Sequence, residues 1–99
     1  MRVCAVSDVA PSSHARFDVD GVPVCVVHLD DGWYAINDIC SHANVSLSEG
    51  EVEDCTIECW LHGSRFDLRT GRPLNLPAYA PVDTFPVLVE DGLIKLEVD

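Results

Sequence analysis

Short runs of β-branched and other apolar residues alternate with clusters of Gly, Asp and Pro along the whole chain. Runs of about four to eight such residues, bounded by turn formers, are typical of β-strands. Asp31-Gly32 and Asp91-Gly92 each lie between two of these runs and suit tight hairpin turns. The pattern therefore predicts an all-β fold, a small antiparallel sandwich or barrel. The predicted strands are residues 14–18, 22–29, 33–36, 51–58, 65–68, 85–90 and 93–98.

The segment 72–81 breaks this pattern, because it contains Pro73, Pro77 and Pro81. Proline lacks a backbone N–H and cannot sit in a central strand, so we expect a loop there. The remaining pattern shows no internal repeat and no linker, which predicts a single domain over residues 1–99. Hydrophobic residues make up 47 % of the chain, enough for one core.

The composition also bears on where the protein acts. No apolar run approaches the roughly 18 residues of a membrane span, and the first residues meet charge before any apolar stretch. We therefore expect a cytoplasmic protein without a membrane partner. Seventeen acidic residues against six basic ones give a formal charge of −11. Such a charge repels nucleic acid and favours partners with basic docking faces, although it could also serve solubility alone.

Two short runs carry the chemistry that this sequence offers: Cys40-Ser41-His42 and Cys59-Trp60-Leu61-His62. Ser, Gly, Asn and charged residues surround both pairs, which places them on loops. Two thiolates and two imidazoles could hold zinc, but a Cys2His2 zinc site usually has a Cys pair followed by a His pair. One cysteine and one histidine in each loop instead match a mixed-ligand [2Fe-2S] centre. Zinc stays the alternative.

Flanking motifs extend this ligand pattern. They are Leu47-Ser48-x-Gly50-x-Val52 after the first pair, Gly63-Ser64-x-Phe66-Asp67-x-x-Thr70-Gly71 after the second, and Pro77-Ala78 before the last predicted strands. With them the chain resembles the Rieske-type ferredoxins and the Rieske domains of aromatic-ring oxygenases over about residues 22–98. Trp60 departs from the pattern, because the family more often has proline there.

The resemblance implies one [2Fe-2S] cluster per chain, bound by a subdomain inserted at about residues 37–69. It implies that Cys40 and Cys59 bind one iron as thiolates and that His42 and His62 bind the other. It also implies that the proline-containing loop covers the cluster from a third side. We predict an apolar cover that limits water there, made of Val45, Trp60, Leu61 and Pro77.

Two further features follow from the resemblance. High-potential relatives join the two ligand loops by a disulfide, but Val45 and Leu61 occupy those positions here, which fits a reducing compartment. In such relatives a serine at the position of Ser64 donates a hydrogen bond to a cluster sulfide, and a tyrosine at the position of Phe66 donates another to a ligand sulfur. Ser64 could instead bond only to loop backbone. With few donors left, we expect a low reduction potential for this family.

We predict that the other cysteines and histidines are structural residues and not cluster ligands. Cys4, Cys25 and Cys55 lie among apolar or β-branched neighbours, where a thiol behaves as a small hydrophobe. His14 and His28 have no cysteine at ligand spacing.

The resemblance implies a carrier of single electrons from a flavoprotein reductase to a terminal non-haem iron oxygenase. The sequence has no second iron site and no nucleotide-binding glycine loop, so we expect a carrier and not an enzyme, with no catalytic residues. We also expect a monomer. A small subunit of another reductase, or an accessory protein of iron-sulfur assembly or redox sensing, are the alternatives. We expect transient docking through a contact centre of His42, Trp60, His62 and Pro77. The predicted acidic rim comprises Asp38, Glu49, Glu51, Glu53 and Asp67.

Overall fold

The computed structural model describes residues 2–41, 44–61, 63–76, 78 and 80–96. In this part of the chain every regular element is a β-strand, apart from two short 3₁₀ turns at Val6–Asp8 and Leu47–Glu49. The strands are β1 (Arg2–Ala5), β2 (Ser13–Val19), β3 (Val22–Leu29), β4 (Gly32–Asn37), β5 (Val52–Glu53), β6 (Thr56–Glu58), β7 (Arg65–Asp67), β8 (Val87–Glu90) and β9 (Leu93–Leu96). The all-β prediction is confirmed.

The strands form three antiparallel sheets of three strands each, in the orders β1-β9-β8, β2-β3-β4 and β5-β6-β7. All pairings except that of β1 with β9 join consecutive strands of one sheet. Asp91-Gly92 forms the β8–β9 turn as predicted, whereas the β3–β4 turn is formed by Asp30 and Asp31, because Gly32 pairs with Leu29 and belongs to β4. In the β8–β9 turn Asp91 and Gly92 have φ angles of 52° and 74°, a left-handed pair that suits a two-residue hairpin. No helix within the described residues is long and apolar enough to cross a membrane.

One strand prediction was wrong, and one strand was not predicted. Residues 51–58 form two strands, β5 and β6, which pair with each other across a turn at Asp54 and Cys55. Both turn residues are left-handed, with φ of 50° and 59°, and because neither is glycine the usual turn signal is missing. Strand β1 was not predicted at all. It is ordered by pairing with β9 at the other end of the chain, a contact that no local pattern records.

The central strand β3 separates two hydrophobic cores. Val24 and Val26 contribute to a core that includes Ile94 of β9, while the alternate residues Cys25 and Val27 face a second core. All four are fully buried, since successive side chains of a strand point to opposite sides. The second core contains both cysteines of the predicted ligand pairs and therefore underlies the site.

Two glycines bring backbone segments close together beneath this site. A Cβ on Gly50 would overlap the carbonyl oxygen of Glu58, and a Cβ on Gly71 would overlap that of Val82. Gly71 also has a φ of +77°, which favours glycine. These contacts tie the chain after the first ligand loop to β6, and the chain after β7 to the segment before β8. The segment 72–81 forms no strand in its described part, as its prolines predicted.

Candidate metal centre

The two cysteines of the predicted ligand set lie in one core. Cys40 comes three residues after the end of β4, and Cys59 directly follows β6. Their relative exposures are 4 % and 0 %, and both pack in the core that also contains Phe66. The predicted ligands His42 and His62 lie outside the described residues, as does Pro77. The structure therefore brings together the two predicted sulfur ligands in a water-excluded setting.

The two ligand loops close in the same way. The N–H of Cys40 donates to the carbonyl of Val45 at 3.0 Å, and the N–H of Cys59 donates to that of Ser64 at 2.7 Å. In each loop, then, the cysteine amide bonds the carbonyl five residues later. A second bond, from the N–H of Gly63 to the carbonyl of Cys59 at 2.8 Å, tightens the second loop. Each predicted histidine falls within one of these closed loops in the sequence.

A buried carboxylate anchors the base of the first loop. Asp38 is fully buried, and its Oδ1 accepts a hydrogen bond from the N–H of Ser48 at 2.8 Å. Its Oδ2 lies 3.6 Å from Nη1 of Arg16 and finds no hydrogen-bond partner among the described residues. The prediction of Asp38 as a rim charge was wrong, because Arg16 on β2 compensates its charge in the interior. Of the other predicted rim residues, Glu49, Glu51 and Glu53 are exposed and Asp67 is half-buried.

Side chains of strand β2 contact the same loop at its C-terminal end, at Ser46 and Ser48. Arg16 Nη1 also donates to Ser46 Oγ at 3.1 Å, and His14 Nε2 lies 2.9 Å from the carbonyl oxygen of Ser48. His28 Nδ1 lies 3.0 Å from the carbonyl oxygen of Val9, and its ring stacks on Trp33 with centroids 3.8 Å apart. Both histidines are thus engaged with backbone carbonyls, which agrees with their structural interpretation.

Residues 72–82, called here the bridging loop, are joined to both ligand loops. The N–H of Ala78 donates to the buried Oγ of Ser64 at 3.0 Å, which attaches this loop to the second ligand loop. Ser41, next to Cys40, donates its hydroxyl to the carbonyl of Ala80 at 2.6 Å. The bridging loop therefore spans from one ligand loop to the other, and sequence analysis missed the Ser41 hydroxyl that makes the second of these bonds.

Apolar side chains next to the site point into solvent. Trp60 is 49 % exposed and Leu61 43 %, which agrees with the predicted place of Trp60 in a contact centre; their role as an apolar cover of the cluster stays a prediction. Leu74 and Leu76 in the bridging loop are 57 % and 77 % exposed. Sequence reasoning missed this leucine pair, although apolar residues inside a proline-rich loop without strand pattern were an available signal. We call Trp60, Leu61, Leu74 and Leu76 the apolar tip.

The remaining cysteines differ in accessibility. Burial is the main cause that raises the pKa of the Cys25 thiol, with a smaller contribution from the charge of Asp38. The pKa of Cys4 is raised by burial and then by the charge of Asp8. Cys55 is half-buried and adjoins Tyr34, whose hydroxyl donates to Asp31 at 3.1 Å. Cys4, Cys25 and Cys55 form no disulfide with any described residue.

The chemistry of this donor set fits a mixed-ligand iron-sulfur cluster. Cys40 and Cys59 offer two buried thiols in one core, and each belongs to a loop with one histidine. Thiolates are the usual ligands of such clusters, and two histidines replace two cysteines in the mixed type. Ser64 adds a buried hydroxyl next to the second loop. A site of this kind is rigid and dry, as a redox centre requires.

Comparison with known proteins agrees with the assignment of this site to an iron-sulfur cluster. Residues 1–86 match the family described as Rieske [2Fe-2S] domain. The chain is 46 % identical over 98 residues to the 3-phenylpropionate/cinnamic acid dioxygenase ferredoxin subunit of Photorhabdus laumondii, covering 97 % of this chain and 91 % of that protein. It superposes on the ferredoxin of carbazole 1,9a-dioxygenase from Nocardioides aromaticivorans with a TM-score of 0.92 and 41 % identity, covering 97 % and 94 % of the two chains.

A second solved structure is a complex of reduced oxygenase and oxidised ferredoxin in carbazole 1,9a-dioxygenase. The similarity there has a TM-score of 0.89 and 37 % identity, over 97 % of this chain and 90 % of that one. The family match covers most of the chain, and the curated relative is similar along nearly its whole length. The chain therefore belongs to the Rieske [2Fe-2S] domain family and carries the [2Fe-2S] cluster that defines it.

Proposed function

We propose that this protein is the ferredoxin component of an aromatic-ring dioxygenase system. It accepts one electron at a time from a flavoprotein reductase and delivers it to a terminal non-haem iron oxygenase, without a substrate site of its own. The observation that carries the proposal is the near full-length similarity to dioxygenase ferredoxin subunits, at 46 % identity over 97 % of the chain. Similarity to the ferredoxin of a carbazole 1,9a-dioxygenase over 97 % of this chain and 94 % of that one also favours a carrier.

In this proposal Cys40 and Cys59 bind one iron and His42 and His62 the other, with one cluster in a single domain over residues 1–99. The cluster supplies storage and release of one electron. The residues of the chain hold the cluster ligands in place and exclude water from them. Burial of both thiols in the Phe66 core, together with the matched closure of the two loops, supports this assignment. A rigid setting limits the rearrangement of ligands when the charge of the centre changes.

Ser64 is proposed to tune the potential. A hydroxyl has one hydrogen to donate and two lone pairs that accept. The N–H of Ala78 occupies a lone pair of Ser64 Oγ, which leaves the Ser64 hydrogen to donate elsewhere. That hydrogen is therefore available to a cluster sulfur, where a hydrogen bond stabilises the reduced and more negative state.

Docking is proposed to use the apolar tip. Four exposed apolar side chains beside the ligand loops offer a small contact area, and the exposed carboxylates of Glu49, Glu51 and Glu53 lie on the chain between those loops. An acidic body steers a basic partner into fast encounters, while a small contact permits fast release. A carrier that serves two partners in turn needs both properties. We propose that the reductase and the oxygenase use this same surface.

We also propose that the protein is cytoplasmic and monomeric. The positions of Val45 and Leu61 cannot form a disulfide, and Cys4, Cys25 and Cys55 remain unbridged among the described residues. Thiols persist in this state in a reducing compartment.

The test replaces the ferredoxin of a 3-phenylpropionate dioxygenase system with this protein. Its purified reductase, its terminal oxygenase and NADH are mixed with the substrate, with or without the cluster-loaded chain. Product formation that depends on this protein, and reoxidation of the reduced protein on mixing with the oxygenase, would support the proposal. A reducible protein that passes no electron to this oxygenase or to that of a carbazole dioxygenase would contradict it. Cys59→Ser, which removes a predicted ligand, serves as the inactive control.

A further inference from the structure

The side-chain amide of Asn75 forms hydrogen bonds with the backbone on both sides of Ser64. Asn75 Oδ1 accepts a hydrogen bond from the N–H of Arg65 at 2.8 Å, and Asn75 Nδ2 donates to the carbonyl of Gly63 at 3.2 Å. Gly63 and Arg65 are the two neighbours of Ser64 in the chain. One side chain of the bridging loop therefore fixes the backbone immediately before and after a buried hydroxyl beside the second ligand loop.

Two more hydrogen bonds join the bridging loop to Ser64 and Arg65. The N–H of Leu74 donates to the carbonyl of Arg65 at 2.7 Å, and the N–H of Ala78 donates to Ser64 Oγ at 3.0 Å. Asn75 itself is exposed, so packing of its side chain contributes little to the core. Its contribution therefore comes from the two hydrogen bonds, which hold residues 74–76 in register with residues 63–65.

This arrangement bears on the Ser64 hydroxyl. The position of the Ala78 N–H decides which lone pair of Ser64 Oγ is occupied, and therefore where the remaining hydroxyl hydrogen can point. If residues 74–78 loosened, the hydroxyl would lose this constraint. A hydrogen bond to a cluster sulfur would then be made for a smaller fraction of the time, and the reduced state would be less stabilised.

We infer that Asn75 is a positioning residue for electron transfer, which holds Ser64 as a hydrogen-bond donor and thereby raises the reduction potential of the cluster. The inference rests on the proposed function of Ser64 as a donor to the cluster. It differs from a purely structural role, in which Asn75 would stabilise the bridging loop and leave the potential unchanged.

The experiment is a double-mutant cycle on the cluster-loaded protein. Asn75→Leu has a similar shape but makes neither hydrogen bond, and Ser64→Ala removes the donor. The midpoint potentials of wild type, both single variants and the double variant are measured by redox titration. Asn75→Leu lowers the midpoint, Ser64→Ala lowers it by at least as much, and Asn75→Leu causes no further shift in the Ser64→Ala background. Leu88→Ala, a change at an exposed side chain of β8, leaves the midpoint unchanged.

Hydrogen exchange provides an independent readout. In Asn75→Leu the N–H of Arg65 has lost its acceptor, so the exchange of that amide accelerates by at least about tenfold. If Asn75→Leu does not retain the cluster, Asn75→Ser takes its place in the same cycle.

An unchanged midpoint in the Asn75 variant, or an equal shift in both Ser64 backgrounds, overturns the inference. Loss of the cluster from both Asn75 variants also overturns it, because Asn75 would then be needed for assembly. A wild-type protein without a [2Fe-2S] cluster would instead contradict the proposed function, so the two failures are distinguishable.

Discussion

Arg16 and Asp38 form an ion pair in which only the carboxylate is buried. Nη1 of Arg16 lies 3.6 Å from Oδ2 of Asp38, and the exposed fractions of the two side chains are 43 % and 0 %. The pair links β2 to the base of the first ligand loop, two residues before Cys40. A buried carboxylate whose Oδ2 accepts no hydrogen bond from a described residue depends on its counter-charge.

Replacing Arg16 with Met should therefore destabilise the protein. The variant keeps much of the apolar stem but leaves Asp38 buried without a cation, which should cost about 1–3 kcal/mol of unfolding free energy. The measurement is denaturant unfolding of the cluster-loaded protein. The matched control is Arg69→Met, which breaks an ion pair with Asp31 in which both side chains are more than half exposed. A smaller loss is expected there, because exposed pairs contribute little. Equal losses would show that the buried charge has no special role.

Replacing Phe66 with Tyr should raise the midpoint potential. We expect a wild-type value of about −150 mV, at the low end for mixed-ligand clusters. Phe66 is fully buried in the core that contains Cys40 and Cys59, so a hydroxyl added there has a thiolate sulfur as a potential acceptor. Phe85→Tyr, in the other core, controls for the added hydroxyl. A wild-type midpoint well above zero would show that backbone amides and burial outweigh the missing side-chain donors.

Thiol labelling should distinguish the five cysteines. With the cluster bound, iodoacetamide at pH 8 should modify Cys55 first, because it is only half-buried. Cys25 should react last, since burial raises its pKa and lowers the thiolate fraction at this pH. The raised pKa of Cys4 should slow its reaction as well. After chelation of the iron, Cys40 and Cys59 should become reactive. Mass spectrometry of peptides reports the order, and labelling of Cys59 in the loaded protein would argue against its role as a ligand.

Reduction by the flavoprotein reductase should slow as salt is added. Between roughly 0.01 and 0.5 M ionic strength the Debye length falls from about 30 Å to a few ångströms, which screens steering by the acidic surface. Changing Glu49, Glu51 and Glu53 together to Gln should flatten this dependence. Changing Asp91, in the β8–β9 turn, to Asn should leave most of it. A rate that does not vary with salt would assign the acidic surface to solubility.

The sequence pattern predicted those strands and turns that are determined by residues close together in the chain. The apolar run 22–29 matches β3 residue for residue, and Asp91-Gly92 lies in a turn where left-handed φ angles are needed. The Cys-His pairs were recognisable because ligand spacing is itself a local feature. Their burial in a shared core agrees with that reading.

The missed features depend on residues that meet only in the folded chain. Asp38 reads as a surface charge until Arg16 is placed beside it, and β1 is a strand only because β9 pairs with it. Cys55 takes a left-handed turn conformation without being glycine. Leu74 and Leu76 are apolar in the sequence, yet the fold leaves both exposed. Burial and pairing at such positions follow from tertiary contacts, which a linear pattern does not contain.

The central claim is that two cysteines and two histidines of this chain hold one [2Fe-2S] cluster. Quantification of iron, acid-labile sulfide and zinc in the purified protein, together with its paramagnetic spectrum after reduction, tests this claim most directly. The account predicts about two iron and two sulfide per chain, and the low average g value of a mixed-ligand centre. Stoichiometric zinc without sulfide, or the spectrum of an all-cysteine cluster, would contradict it.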